Sequence, residues 1–146
     1  MKKQVAIGND HTGITLKNEI CKSLQVKGYL TTNYGTNIES PVDYPDVAHP
    51  VADSVNSGKV DFGILICGSG QGVAIVANKH KNVRATVCWN KDIAVLARKH
   101  NDSNIICLPA RFLGIDEALS IVEIFFDTEF EEGRHLKRIE KIEIRD

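Results

Sequence analysis

Asp61-Phe62-Gly63-Ile64-Leu65-Ile66-Cys67-Gly68-Ser69-Gly70-Gln71-Gly72 is the stretch that decides the fold. Its first half is a short apolar run, the pattern of a strand covered on both faces. The run empties into a loop with glycine at every second position, and a helical pattern then covers Val73 to Lys79. A buried strand, a glycine turn and a helix in direct succession form one half of a βαβ unit.

The same alternation extends outward in both directions. Upstream, Gln4 to Gly8 reads as a strand, and Leu16, Ile20 and Leu24 line one face of a helix that stops at Gly28. Tyr29 to Tyr34 reads as a second strand, Gly35 to Pro45 as a polar loop, and Asp46 to Asn56 as a helix weakened by Pro50. Downstream come a strand over Val83 to Trp89 and a helix over Asp92 to His100 with Ile93, Leu96 and Ala97 inward. A strand over Asn104 to Leu108 follows, then an apolar helix over Ile115 to Phe126 and a charged amphipathic one over Arg134 to Ile144. Strands alternating with helices predict an α/β fold, a three-layer αβα sandwich around a doubly wound, five-stranded parallel sheet of Rossmann-like type. Ligands of such sheets bind outside the carboxyl ends of the strands. Asp10-His11, Cys67 to Gly72, Trp89-Asn90 and Pro109 to Arg111 all fall just past strand ends.

Composition supports this reading and removes several function classes. The 146 residues are expected to form a single domain over 1–146, long enough to bury a core without staples. With 18 Lys+Arg against 19 Asp+Glu the net charge is −1, so the chain has no global field for nucleic acid or an anionic membrane. No apolar run reaches the roughly 18 residues of a membrane span. Met1-Lys2-Lys3 leads directly into the first strand pattern without a signal-peptide core, which predicts a cytoplasmic protein. Cys21, Cys67, Cys88 and Cys107 form no C-x-x-C pair and no zinc-ligand spacing with histidine, so reduced thiols are expected, three of them packing as small hydrophobes.

Two readings stay open for each candidate functional residue. Gly68-Ser69-Gly70-Gln71-Gly72 is either an anion cradle of converging amides or a turn that needs glycine for steric reasons. It is neither a Walker A loop nor a dinucleotide fingerprint, since no Gly-Lys-Ser/Thr follows and the third glycine comes one residue early. Cys67 is either an inert buried thiol or, beside a helix start and a nest of amides, a thiolate base. His11 and His100 stand at element ends, whereas His49, His80 and His135 read as surface residues. Arg134 and Arg138 share a helix face, fit either for clamping a dianion or for simple solvation, and Arg111 follows the last strand.

Taken in order, Gly8-Asn9-Asp10-His11-Thr12-Gly13, Asp43-Tyr44-Pro45, Cys67 to Gly72, Asn78-Lys79, His100-Asn101-Asp102, Arg111 and Gly133-Arg134-His135-Leu136-Lys137-Arg138 resemble ribose-5-phosphate isomerase B and its galactose- and allose-6-phosphate relatives. The resemblance runs from the first strand to the last helix. It implies interconversion of ribose 5-phosphate and ribulose 5-phosphate, a pentose phosphate pathway reaction, without metal or organic cofactor. It assigns Cys67 to proton transfer between C2 and C1, and Ser69 with the amides of Gly68, Gly70, Gln71 and Gly72 to the enediolate oxygen. His100 is assigned to furanose opening, Asp10 and Asn101 to the sugar, and His11, Arg111, Arg134 and Arg138 to the phosphate. It further implies a homodimer, or a dimer of dimers, with sites shared across the interface. His100-Asn101 and Arg111 are then candidates to complete a partner's site, and the Ile121 to Phe126 face is explained either as dimer surface or as core.

Departures from the family pattern are Asn9, where some relatives carry cysteine, and Gln71, where a small apolar residue is common. Ile75 and Val76 stand where other relatives place a glutamate base, which leaves Cys67 as the base of this type. The alternatives are isomerisation of a six-carbon sugar phosphate, or a non-catalytic flavodoxin-like module that binds phosphate or a nucleotide.

Overall fold

The structure, a computed structural model, describes residues 3–144. The reading of Met1 and Lys2 falls outside them. Five parallel strands, β1 (Gln4–Asn9), β2 (Leu30–Asn33), β3 (Phe62–Cys67), β4 (Ala85–Val87) and β5 (Ile105–Pro109), lie in the order β2-β1-β3-β5-β4. The helices are α1 (Ile14–Val26), α2 (Tyr44–Asn56), α3 (Gln71–Ala77), α4 (Lys91–Asn101), α5 (Ile115–Asp127) and α6 (Arg134–Ile139), with a 3-10 turn at His11–Gly13.

Period-two alternation along the strands builds a core on each face. Ile64 and Ile66 of β3 pack with α1, α4 and α5. Leu65 and Cys67 face α2 and α3. Handedness accounts for this split. The chain moves toward the β2 edge through α1 and back through α2, so right-handed crossovers place these helices on opposite faces. It moves on through α3 to β4, skipping a slot that β5 fills through α4. β1 and β3 are neighbours from which the chain departs in opposite directions, so the crevice of a switch point opens between their carboxyl ends.

Several sequence expectations need correction. The helix expected from Asp46 begins at Tyr44, because Pro45 sits in the first turn, where no amide donor is required, and it continues past Pro50 to Asn56. The fourth strand is only Ala85–Val87, an edge strand paired on one side. The last helix ends at Ile139 rather than Ile144: Ile142 and Ile144 are exposed and offer no packing to extend so short a helix. Leu96 does not face inward; Ala94, Ala97 and Arg98 do. Ile121, Val122, Phe125 and Phe126 are core rather than free surface. Three cysteines behave as small hydrophobes: Cys88 and Cys107 are fully buried, and Cys21 is half-buried against the core. Burial pushes the Cys88 thiol up to about 11 and Cys107 well above its usual range, so both stay protonated at neutral pH.

Candidate active site

Cys67 closes β3 and is 5% exposed. The chain turns sharply behind it. Gly70 adopts φ +72°, and a Cβ there would meet the Leu108 backbone at 3.1 Å, so only glycine completes this turn easily. The turn brings the Gly70 N–H round to donate to Cys67 Sγ at 3.1 Å. Beside it the Gln71 N–H donates to Ser69 Oγ at 3.3 Å, leaving the Ser69 hydroxyl at the loop surface.

The neighbouring strands supply the other walls. After β1, the Asp10 N–H donates to the Ile66 carbonyl at 3.1 Å and fixes Asp10 beside Cys67. One Asp10 oxygen, Oδ1, accepts from the Thr12 N–H at 2.9 Å and the Thr12 hydroxyl at 2.6 Å; the other is left for a ligand. His11 Nδ1 accepts from the Val42 N–H at 3.3 Å, which orients the opposite ring edge. After β5, the Ala110 and Arg111 N–H groups donate to the Cys67 and Gly68 carbonyls at 2.9 and 3.1 Å. Arg111 is thereby laid across Gly68, where a Cβ would come within 3.2 Å of its side chain.

These pieces enclose a cleft of about 400 Å³, lined by Asp10, His11, Tyr44, Cys67, Ser69 and Arg111 among others. A volume of this order suits a small polar ligand. Gln71 and Gly70 are not in its lining; Gln71 faces an adjoining surface with Trp89, Phe112 and Glu117. Tyr44, Thr12 and Phe112 line the cleft without having been assigned a role from sequence. Gly72 was the available signal for Tyr44, since a Cβ there would strike the tyrosine ring at 2.7 Å.

The remaining candidates lie elsewhere. His100 and Asn101 end α4, which runs back from the carboxyl edge of the sheet to the amino edge, where β5 begins. A six-residue strand such as β3 is roughly 17 Å long, so the length of the sheet separates them from Cys67. Arg134 and Arg138 accompany them on α6, held to α4 by the Glu131 N–H donating to the Lys99 carbonyl at 3.1 Å. His135 is not a surface residue. It is 3% exposed and stacks on His100 with ring centroids 4.2 Å apart. His100, Glu131 and His135 offer ligand atoms within 4.8 Å of one another. Their imidazoles, inclined by only 14°, direct their lone pairs in nearly parallel planes rather than toward a common centre.

A thiol under an amide loop, flanked by a carboxylate, an imidazole and a guanidinium at the switch point of a parallel sheet, defines an α/β protein suited to proton transfer on a small anionic ligand. The ribose/galactose isomerase family model matches residues 5–142, and the chain belongs to that family. It is similar to ribose-5-phosphate isomerase B of Escherichia coli, 42% identical over 140 residues that cover 96% of this chain and 94% of the relative. It is also similar to D-erythrulose-4-phosphate isomerase of Pectobacterium atrosepticum, 43% identical over 140 residues, or 94% of this chain and 91% of that one. The crystal structure of Mycoplasma genitalium ribose-5-phosphate isomerase B with bound ribulose-5-phosphate superposes with a TM-score of 0.94 at 43% identity, covering 97% of this chain and 95% of that chain.

Proposed function

We propose that this chain interconverts ribose 5-phosphate and ribulose 5-phosphate, with Cys67 as the base. The observation that carries the reading is Cys67 Sγ held 3.1 Å from the Gly70 amide in a cleft shared with Asp10, His11 and Arg111. In the open aldose the Cys67 thiolate removes the C2 proton. The C–H electron pair forms the C1–C2 double bond, and the C1 carbonyl oxygen takes up negative charge. The Gly72 amide at the start of α3 and the Ser69 hydroxyl, both on the cleft, stabilise that oxygen. A proton passes from the C2 hydroxyl to the C1 oxygen, and the thiol returns its own proton to C1 to give the ketose. Asp10 holds a sugar hydroxyl through its free oxygen, and His11 and Arg111 hold the phosphate.

His100 opens the furanose by protonating the ring oxygen, Asn101 binds the sugar, and Arg134 and Arg138 complete the phosphate site. One chain keeps these groups a sheet length from Cys67, so in this reading they come from a second copy. The surface between the two ends supports it. Trp89 and Phe112 are 53% and 75% exposed beside the cleft, and Leu96 is 43% exposed along α4. Trp89, Leu96 and Asn101 line one continuous groove. Pairing α4 with its symmetry mate antiparallel about a two-fold axis covers this apolar strip and sets each His100 beside the other copy's Cys67 end. Arg111 stays with its own Cys67, and only the α4 and α6 groups cross.

The compartment carried by this reading is the cytoplasm, where free thiols persist. Among the described residues no helix is long and apolar enough to cross a membrane.

Mixing two impaired variants tests the reading. Cys67→Ala and His100→Asn homodimers each lack one group in every site. A mixed dimer has one doubly damaged site and one intact site, so an equimolar, re-equilibrated mixture should recover about a quarter of wild-type activity. No recovery despite subunit exchange would mean that Cys67 and His100 do not meet across an interface.

A further inference from the structure

We infer that His135 is the positioning residue for His100, a flat wall that fixes the plane of the ring-opening imidazole while leaving both of its nitrogens free. The inference rests on the assignment of His100 to ring opening. Protonating a furanose oxygen requires the acid's N–H to point at it, and an N–H lies in the plane of its ring. A partly exposed histidine at a helix end loses that direction unless something holds its plane. A hydrogen bond to one ring nitrogen could hold it, leaving the other nitrogen to take up and deliver the proton. A face-to-face stack constrains the plane through the π surface alone.

The geometry has these properties. The His100 and His135 rings are 4.2 Å apart and inclined by 14°. His135 is 3% exposed, and its buried Nε2 has no hydrogen-bond partner among the described residues, with the nearest Glu131 oxygen at 3.9 Å. Burial, the facing His100 and the charges of Arg134 and Arg138 all lower its pKa against the opposing pull of Glu131. The buried ring is thus kept neutral at pH 7. His135 also lies between Arg134 and Arg138 on α6, so the element that grips the phosphate carries the plane against which the ring-opening group rests.

Two substitutions that keep the buried volume separate this role from simple packing. His135→Phe retains a flat face and loses both nitrogens; its kcat on ribose 5-phosphate should stay within threefold of wild type. His135→Leu retains apolar bulk without a plane; its kcat should fall tenfold or more, with KM within about twofold because the arginines remain. Combined with His100→Asn, the Leu substitution should cause no further loss, since it acts through a group already removed. Equal activity of the Phe and Leu variants, high or low, would overturn the inference, as would multiplied losses in the double variant. A fully active His100→Asn enzyme would instead remove the ring-opening assignment itself, an outcome the same measurements identify separately.

Discussion

At the carboxyl edge of the sheet the reactive groups hang from loops pinned by backbone hydrogen bonds; at the amino edge they stand on helix ends held by side chains. Cys67, Asp10 and Arg111 are placed by amides that bond to carbonyls of neighbouring strands. His100 and Asn101 owe their placement to Arg98, buried at the end of α4, which donates to the Ser103 carbonyl at 2.6 Å and to Asp102 Oδ1 at 2.9 Å. Arg84 adds donation from Nε to the Asn101 and Asp102 carbonyls, both at 3.0 Å. In the proposed reaction the first construction sets the base and its loop beside the reacting carbons, and the second brings cationic and titratable groups to a ring oxygen and a phosphate. In the proposed reading neither end performs the whole reaction, and the exposed Trp89, Leu96 and Phe112 between them are where a second copy would sit.

The sharpest contrast between the ends is the size of the loss when each reactive group is removed. Cys67→Ala should lower kcat by about a thousandfold or more, because Asp10, the carboxylate of the cleft, is held by Thr12 and assigned to a sugar hydroxyl rather than to C2, and the C–H bond cannot break without a base. His100→Asn should cost only about ten- to a hundredfold, because the open aldehyde present in solution bypasses the missing step. Steady-state assays in both directions check this. Losses of equal size would remove the division of labour.

The two ends also differed in how far they could be read from sequence. β3, its glycine loop and the residues just past the strand ends were legible, because a parallel sheet converts strand order into a ligand edge. Asp10, His11, Cys67, Ser69 and Arg111 accordingly share the cleft. His100 was singled out by its helix end, Arg134 and Arg138 by their shared helix face, and Asn101 by motif, and none of these signals was read for the end of the sheet it implies. His135 was misread because the residues beside it, Arg134 and Leu136, are exposed; its burial comes from the His100 ring, a contact that no periodicity encodes. Leu96 was assigned inward by its apolarity, whereas its place on α4 turns it outward. The sequence pattern shows that a side chain avoids water, and not whether its own chain or another copy covers it.

A smaller effect separates the arginines of the amino edge from the surface around them. Arg134→Ala and Arg138→Ala should each raise KM about tenfold, since a charge-assisted contact to phosphate is worth roughly 1.5–3 kcal/mol. Lys137, exposed and turned off the shared face, should change KM by less than about twofold when replaced with alanine. An equal effect from all three would indicate a diffuse basic surface in place of a clamp.

The smallest expected effect lies behind the carboxyl edge, at Lys17. Its side chain is 2% exposed, and its Nζ donates to the Thr36 carbonyl and to Asn37 Oδ1. These bonds tie the loop after β2 to α1, beneath the turn that carries Asp10 and His11. Asn9 Nδ2 donates to the same Thr36 carbonyl at 3.1 Å, so removing the lysine does not orphan it. Lys17→Met also removes the cost of burying an ammonium, and the two terms nearly offset; a loss of about 1 kcal/mol is expected in denaturant unfolding. The lysine leaves a clearer mark on pH dependence. Burial holds its pKa below the ordinary 10.5, so the unfolded chain binds this proton more tightly than the folded one. Wild-type stability therefore gains a contribution as pH rises through the interval between the folded value and 10.5, where the penalty on the charged form is relieved. Lys17→Met should lack that gain. Unfolding curves of the two proteins should then diverge in favour of wild type in the alkaline range, and parallel curves there would show that Lys17 is not buried as a charge.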